Sequence, residues 1–322
     1  MIVAHPNSLA EAIQYLSDHP QAKIVAGGTD LIPRLNQKLE EQTELCYVFG
    51  YPEMHGIRKT EDGGIFIGAS ELLANLNQHC AIADYTAIWQ AASRVASPQI
   101  RNQGTIGGNI LQENRCMFFN NHVPWSDVNH CLKWGGDRCY QARKSPDCLA
   151  LFQSDVAPAL IAYDAHCVIS APEGVRKTPV FDLYGRWGRN NKNLAHNEIL
   201  VGIELPPLQA NERSAYVRKA LRGSFDFPLT GSAIRLQIQD GIVTESRVIF
   251  GAAGTKPVPF KGVDAFLNGK SVDALPDIAK TLEKEVGKFF FPFQDTHVNG
   301  AARKKMGFEV FVKSVEACLE IR

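Results

Sequence analysis

Ile24-Val25-Ala26-Gly27-Gly28-Thr29-Asp30-Leu31 is the stretch that decides how the rest of the chain is read. Lys23 to Ala26 has the composition of a short buried strand, the paired glycines interrupt it, and Leu31 to Leu39 carries a helical pattern. A strand–loop–helix unit is predicted. Glycine has no Cβ and adopts positive φ freely, which lets several backbone N–H groups converge on one anion such as a diphosphate. Thr29 adds a hydroxyl. The same residues suit a plain left-handed turn, and the spacing is not the G-x-G-x-x-G dinucleotide fingerprint, so this loop alone leaves both readings open.

Upstream, Ser8 and Glu11 form a capping-box pattern that predicts a helix over about 9–18, with Leu9, Ile13 and Leu16 on its apolar face. Downstream, Asp62-Gly63-Gly64 lies between two β-rich runs within 57–69 and predicts a hairpin. Helical stretches follow over about 71–78 and 84–96. A second glycine loop, Thr105-Ile106-Gly107-Gly108-Asn109, comes after Arg101 and Asn102. Two such cradles suit the two phosphates of one cofactor.

Residues 112–150 lose hydrophobic periodicity and read as an insertion. Regular structure resumes near Pro158 with a strand over 166–170. After about 211 the pattern is strand, strand, an Asp240-Gly241 turn, a strand to Phe250, then helices near 262–268, 275–289 and 301–319. The expected organisation is a cofactor-binding domain over 1–210, divided at about 54/55, and an α+β domain over 211–322. A length of 322 residues allows two or three such units at roughly 100–200 residues each.

Thirty-four basic residues balance thirty-four acidic ones, which argues against nucleic acid or an anionic membrane as partner. The first residues lack the pattern of an export signal, and no apolar run reaches membrane-spanning length, so a cytoplasmic protein is expected. Eight cysteines in that setting point to metal, redox or simple burial rather than a disulfide framework. No serine–histidine–acid set, paired catalytic carboxylates or HExxH motif is present, so substrate chemistry belongs to cofactors.

IVAGGTDL, followed some eighty residues later by IRNQGTIGGN and then by SDVAPALIAYDA, resembles the FAD-binding subunit of molybdenum hydroxylases, the family of xanthine and carbon monoxide dehydrogenases. The likeness extends through NEILVGIELP into the C-terminal part. It implies an α+β fold of the vanillyl-alcohol-oxidase type, two subdomains holding an extended FAD, followed by a C-terminal α+β domain like that of the carbon monoxide dehydrogenase flavoprotein. Ile24 to Leu31 and Thr105 to Asn109 would be the two FAD loops, and Asp155 a contact at the ribose or adenine end. The resemblance also implies a contact at Val95, where some relatives have an aromatic, and a late basic contact at Arg218 or Lys219.

Cys116, Cys131, Cys139 and Cys148 are spaced C-x14-C-x7-C-x8-C within the insertion. Four thiolates suit a [4Fe–4S] cluster, one per iron, or a structural zinc, although the close C-x2–4-C pairs usual for zinc are missing. Unligated cysteines are the third reading. His122 and His130 are secondary ligand candidates, and Phe118, Phe119, Trp125, Trp134 and Tyr140 would wall off solvent. Cys46, Cys80, Cys167 and Cys318 are expected to be buried small hydrophobes. Arg303-Lys304-Lys305 is expected to be a solvated face.

Within the family, the insertion resembles that of the 4-hydroxybenzoyl-CoA reductase group. That implies electrons entering from ferredoxin, a [2Fe–2S] small subunit and a molybdopterin-binding large subunit as partners, and reductive dehydroxylation of an aromatic CoA thioester on the large subunit. Three other expectations stand beside it: a flavin subunit of an aldehyde or N-heterocycle hydroxylase passing electrons outward, a self-contained flavoenzyme of the same fold, and a zinc-stabilised binding module.

Overall fold

The computed structural model describes residues 1–120, 130–223, 225–294 and 298–320. Ser8 opens α1 (Leu9–Asp18), its Oγ accepting from the Glu11 amide at 3.1 Å, while the Glu11 carboxylate accepts from the Asn7 amide at 2.9 Å. Such a cap contributes roughly 1 kcal/mol. The helix lays Ala12, Ile13 and Leu16 on the core. Strands β1 (Ile2–Ala4), β2 (Lys23–Val25) and β3 (Glu44–Tyr47) form a small parallel sheet in the order β1-β3-β2. The loop after β2 leads into α2 (Leu31–Asn36), shorter than the predicted 31–39.

A second sheet contains β4 (Ile57–Lys59), β5 (Ile65–Gly68), β6 (His166–Ala171), β7 (Gly174–Pro179) and β8 (Ile199–Leu205), antiparallel in the order β4-β5-β8-β6-β7. The predicted hairpin is β4–β5. The predicted 71–78 helix is a single turn, Leu73–Leu76, because the preceding residues stay extended. Leu72 bridges to Thr105, and the Glu71 carboxylate accepts from the Gly56 amide. Tertiary bonding to the second glycine loop overrides local helical preference. Helix α4 (Ile106–Ile110) packs on β8, and α3 (Thr86–Arg94) and α5 (Val156–Ala162) join the same core, α5 being buried along its whole length.

The third sheet, β9 (Glu212–Lys219), β10 (Thr230–Gln239), β11 (Ile242–Gly251) and β12 (Val258–Pro259), is antiparallel in the order β12-β11-β10-β9. Asp240 and Gly241 both have positive φ, 49° and 76°, as a two-residue hairpin of matching twist requires. The helix predicted near 275–289 is broken at Leu282, whose amide bonds to Ala279 O, into α6 (Leu275–Thr281) and a short helix over Glu283–Gly287. Helix α7 (Gly300–Glu320) covers one face of the sheet and α3 with α5 the other. Successive residues divide accordingly: Tyr216, Ala233 and Ile249 join the N-terminal core, while Ala215, Ile234, Val248 and Phe250 join the C-terminal one.

Arg303 corrects the expected solvated run. Its side chain is fully buried in α7, donating to Leu229 O with the guanidinium 5.5 Å from the Phe293 ring centroid. Cys46, Cys167 and Cys318 are buried, but Cys80 is exposed at the start of a one-turn helix, contrary to expectation.

The described residues of the insertion hold only single turns of helix, at Met117–Asn120 and Leu132–Trp134. Its ends are fastened by paired Arg115–Leu151 backbone bonds and by buried Asn114, whose Nδ2 donates to Ala150 O and Thr255 O, each at 2.8 Å. Leu39, Phe119 and Cys131 form a satellite core that seats the insertion beside α2.

Candidate functional site

The loop between β2 and α2 presents backbone donors with nothing to bond. Among the described residues, the amides of Gly27, Gly28, Thr29 and Asp30 reach no protein acceptor, a configuration that favours an external anion. Gly28 holds φ +71°. A Cβ on Gly27 would lie 2.0 Å from Gln103 O, so this position must be glycine for the two loops to touch. Side chains on Asp30 anchor the loop outward: it pairs with Arg34 and Arg115 and accepts from the Glu113 amide at 3.1 Å.

The second loop is built differently. Ile106, Gly107 and Asn109 donate to Glu71 O, Ala69 O and Thr105 O, and Gly108 donates to Thr105 Oγ1 at 3.0 Å. The expectation of a second amide cradle is therefore corrected, since these donors are spent on the fold. The loop supplies a wall instead.

Between the loops lies a cavity of about 430 Å³, lined by every residue from Ile24 to Leu31 and by Thr105, Gly107 and Gly108. Ile106 is wholly buried behind it, and Asn109 turns its Oδ1 to the Ser154 hydroxyl at 2.6 Å. Three lining residues carried no sequence signal. Ser70 is fully buried with an unpartnered Oγ. Burial pushes the Lys192 ammonium down to about 8, with Glu113 opposing. Burial acts to raise the Glu113 carboxyl, but Lys133, with Lys192 and Arg34, outweighs it and holds that carboxyl below its ordinary value.

The remaining predicted contacts stand apart from this cavity. Val95 caps α3, and its carbonyl accepts from Arg101 at 2.8 Å. Asp155 is buried against Arg218 at 2.9 Å and the Tyr216 hydroxyl at 2.6 Å; burial pushes its carboxyl up to about 6 against the pull of both. Lys219 faces outward and pairs with Glu309. Of the two late basic candidates, Arg218 is the one beside Asp155.

Cys116, Cys131, Cys139 and Cys148 line a second, small cavity with Phe118, Phe119 and Tyr140. All four are free thiols, and all but the half-buried Cys116 are buried. Burial pushes the Cys148 thiol up to about 12, and its sulfur accepts from the Ala150 amide at 3.3 Å. Gln141 Nε2 lies 3.7 Å from Cys116 Sγ. Among the described residues, no three His, Cys, Asp or Glu side chains are arranged to hold a single metal ion. The thiols are distributed around a cavity. Trp134 packs on the neighbouring satellite core, while His130, which meets the Trp134 ring at 4.5 Å, does not belong to the cavity's described lining. His122 and Trp125 lie outside the described residues.

A family model described as the FAD binding domain in molybdopterin dehydrogenase matches residues 1–208. The chain belongs to this family. Residues 215–316 match the CO dehydrogenase flavoprotein C-terminal domain. The chain is 32% identical over 276 residues to an aldehyde oxidoreductase FAD-binding subunit of Escherichia coli K12, covering 81% of this chain and 84% of that protein. It is 30% identical over 254 residues to a xanthine dehydrogenase FAD-binding subunit of Escherichia coli O157:H7, covering 78% and 73%. Carbon monoxide dehydrogenase from Oligotropha carboxidovorans shares the fold, with a TM-score of 0.80 at 20% identity over the whole of both chains.

These members of the FAD-binding family are oxidoreductase flavoproteins, and FAD is the cofactor of the fold described here. The cavity fits an anionic dinucleotide on its own terms: unpaired loop amides, an orphaned Ser70 hydroxyl and the Lys192 cation all border one space. No described helix is long and apolar enough to cross a membrane.

Proposed function

We propose that this chain is an electron-transfer subunit carrying FAD and a [4Fe–4S] cluster, the latter on Cys116, Cys131, Cys139 and Cys148. The observation that carries this reading is the assembly of four free, largely buried thiols around one cavity. The donor chemistry fits: a cubane takes one soft anionic ligand per iron, so its thiolates stand apart, whereas a zinc ion draws four sulfurs to about 2.3 Å from one point. When bound, the cluster supplies one-electron carriage and FAD links one- and two-electron chemistry.

The chain's own residues perform the holding. The amides of 27–30 take the diphosphate of FAD, Thr105, Gly107 and Gly108 wall its path, and Lys192 and Ser70 add charge and a hydroxyl. Asp155 with Arg218, rather than the outward-facing Lys219, is assigned to a more distant contact along the extended cofactor, and Val95 to its margin. At the cysteines, N–H donors from Ala150 and Gln141 reach two sulfurs, and the buried ring of Phe119 limits water on one side of the cavity. Replacing Cys131 by Ser is expected to abolish iron binding while most FAD is retained. Equal iron in the variant would remove the cluster from these residues.

The substrate site is assigned to a molybdopterin-binding large subunit, with a [2Fe–2S] small subunit between it and this chain. The cysteine spacing, which resembles that of 4-hydroxybenzoyl-CoA reductase, favours inward flow from ferredoxin to an aromatic CoA thioester. A second reading rests on the 32% identity to an aldehyde oxidoreductase subunit and reverses the flow. In the complete complex, flavin reduction by ferredoxin but not by aldehydes supports the first; reduction by aldehydes supports the second.

A further inference from the structure

Lys133 lines the cysteine cavity and is ion-paired to a residue of the flavin cavity. It sits on a tight turn, Leu132–Trp134, held by the Leu132 amide on Arg138 O and the Trp134 amide on Cys131 O. The turn lays its side chain against the wall of the cysteine cavity. Only 5% of that side chain is exposed. The ammonium donates to Glu113 Oε1 at 2.6 Å and Gly188 O at 2.9 Å and stands 5.2 Å from the Phe119 ring centroid. Glu113, its counter-ion, lines the flavin cavity.

We propose that the Lys133–Glu113 pair sets the electron affinity of the cysteine site, with Lys133 as the cation that favours the reduced state and Glu113 as the carboxylate that moderates it. This inference rests on the four-cysteine cluster proposed above. Adding an electron to a group held by four thiolates adds negative charge in a water-poor, low-dielectric setting, where a fixed cation nearby is felt strongly. A buried ammonium stabilises the reduced form more than the oxidised one. Its carboxylate partner works against it from the flavin side, so neutralising the two groups one at a time must shift the potential in opposite directions. A purely structural role would make both replacements act alike, through loosening and water entry.

The test uses the full chain, purified without oxygen as wild type, Lys133→Met, Lys133→Arg and Glu113→Gln, with iron and FAD measured on each sample. The cluster's midpoint potential is then read by electron paramagnetic resonance at poised potentials. With iron fully loaded, Lys133→Met is expected to shift the midpoint lower, Glu113→Gln higher, and Lys133→Arg to stay near wild type. Unchanged midpoints, or shifts of the same sign in Lys133→Met and Glu113→Gln, overturn the inference. If Lys133→Met holds no iron, Glu113→Gln decides alone, and absence of an upward shift overturns it. A wild-type chain that binds FAD but no iron instead overturns the cluster reading on which this rests.

Discussion

Lys192 illustrates what a single residue can reveal about the flavin cavity. Burial pushes its ammonium down to about 8, so near neutral pH the fold retains a charge it holds at a cost. An adjacent diphosphate favours the charged form, and the lysine's pKa rises on binding. Binding then takes up a proton between about 8 and the raised value, so FAD affinity is undiminished below pH 8 and declines above it. A charged hydrogen bond of about 1.5–3 kcal/mol makes Lys192→Met bind FAD roughly 10- to 100-fold more weakly at pH 7. Titration of apoprotein with FAD at several pH values checks this; an equal decline above pH 8 in the variant would exclude Lys192. Neither Lys192 nor Ser70 stood out in the sequence, because a lone lysine or serine acquires meaning only from the cavity it borders. Arg303 was misread for the related reason that a charge run does not disclose which member points inward.

At the scale of elements, the two glycine loops were legible, but their division of labour was not. Both carry the same residue types, yet among the described residues the amides of 27–30 find no partner while those of 106–109 are consumed by Glu71, Ala69 and Thr105. The extended run before Leu73 consumes two of them through Ala69 O and Glu71 O, of which Glu71 lies in the stretch read from sequence as helix. Because Gly27 abuts Gln103 O, a Cβ there must push backbone against backbone. Gly27→Ala is expected to cost about 1–3 kcal/mol through overpacking and to lower FAD occupancy with it. Thermal unfolding of the apoprotein reads the first effect and flavin absorbance the second. An unaltered transition with full FAD would mean that the loops are not held in contact.

For the whole molecule, the N-terminal sequence motifs and the strand–turn–strand pattern after 211 were enough to indicate the fold. What they left out is how the parts join: α3 and α5, from the flavin-binding half, cover one face of the C-terminal sheet, with alternate residues of β9 to β11 committed to each core. Such contacts join residues far apart in sequence and leave no local signature. The four cysteines pose the same problem in reverse. Their spacing left iron, zinc and no metal open, and only their gathering at one cavity, beside a buried lysine paired to the flavin site, favours one. The most direct measurement is the iron, zinc and FAD content of a single sample purified without oxygen. About one FAD and four irons per chain are expected; FAD accompanied by zinc, or by no metal, would contradict the cluster at these cysteines.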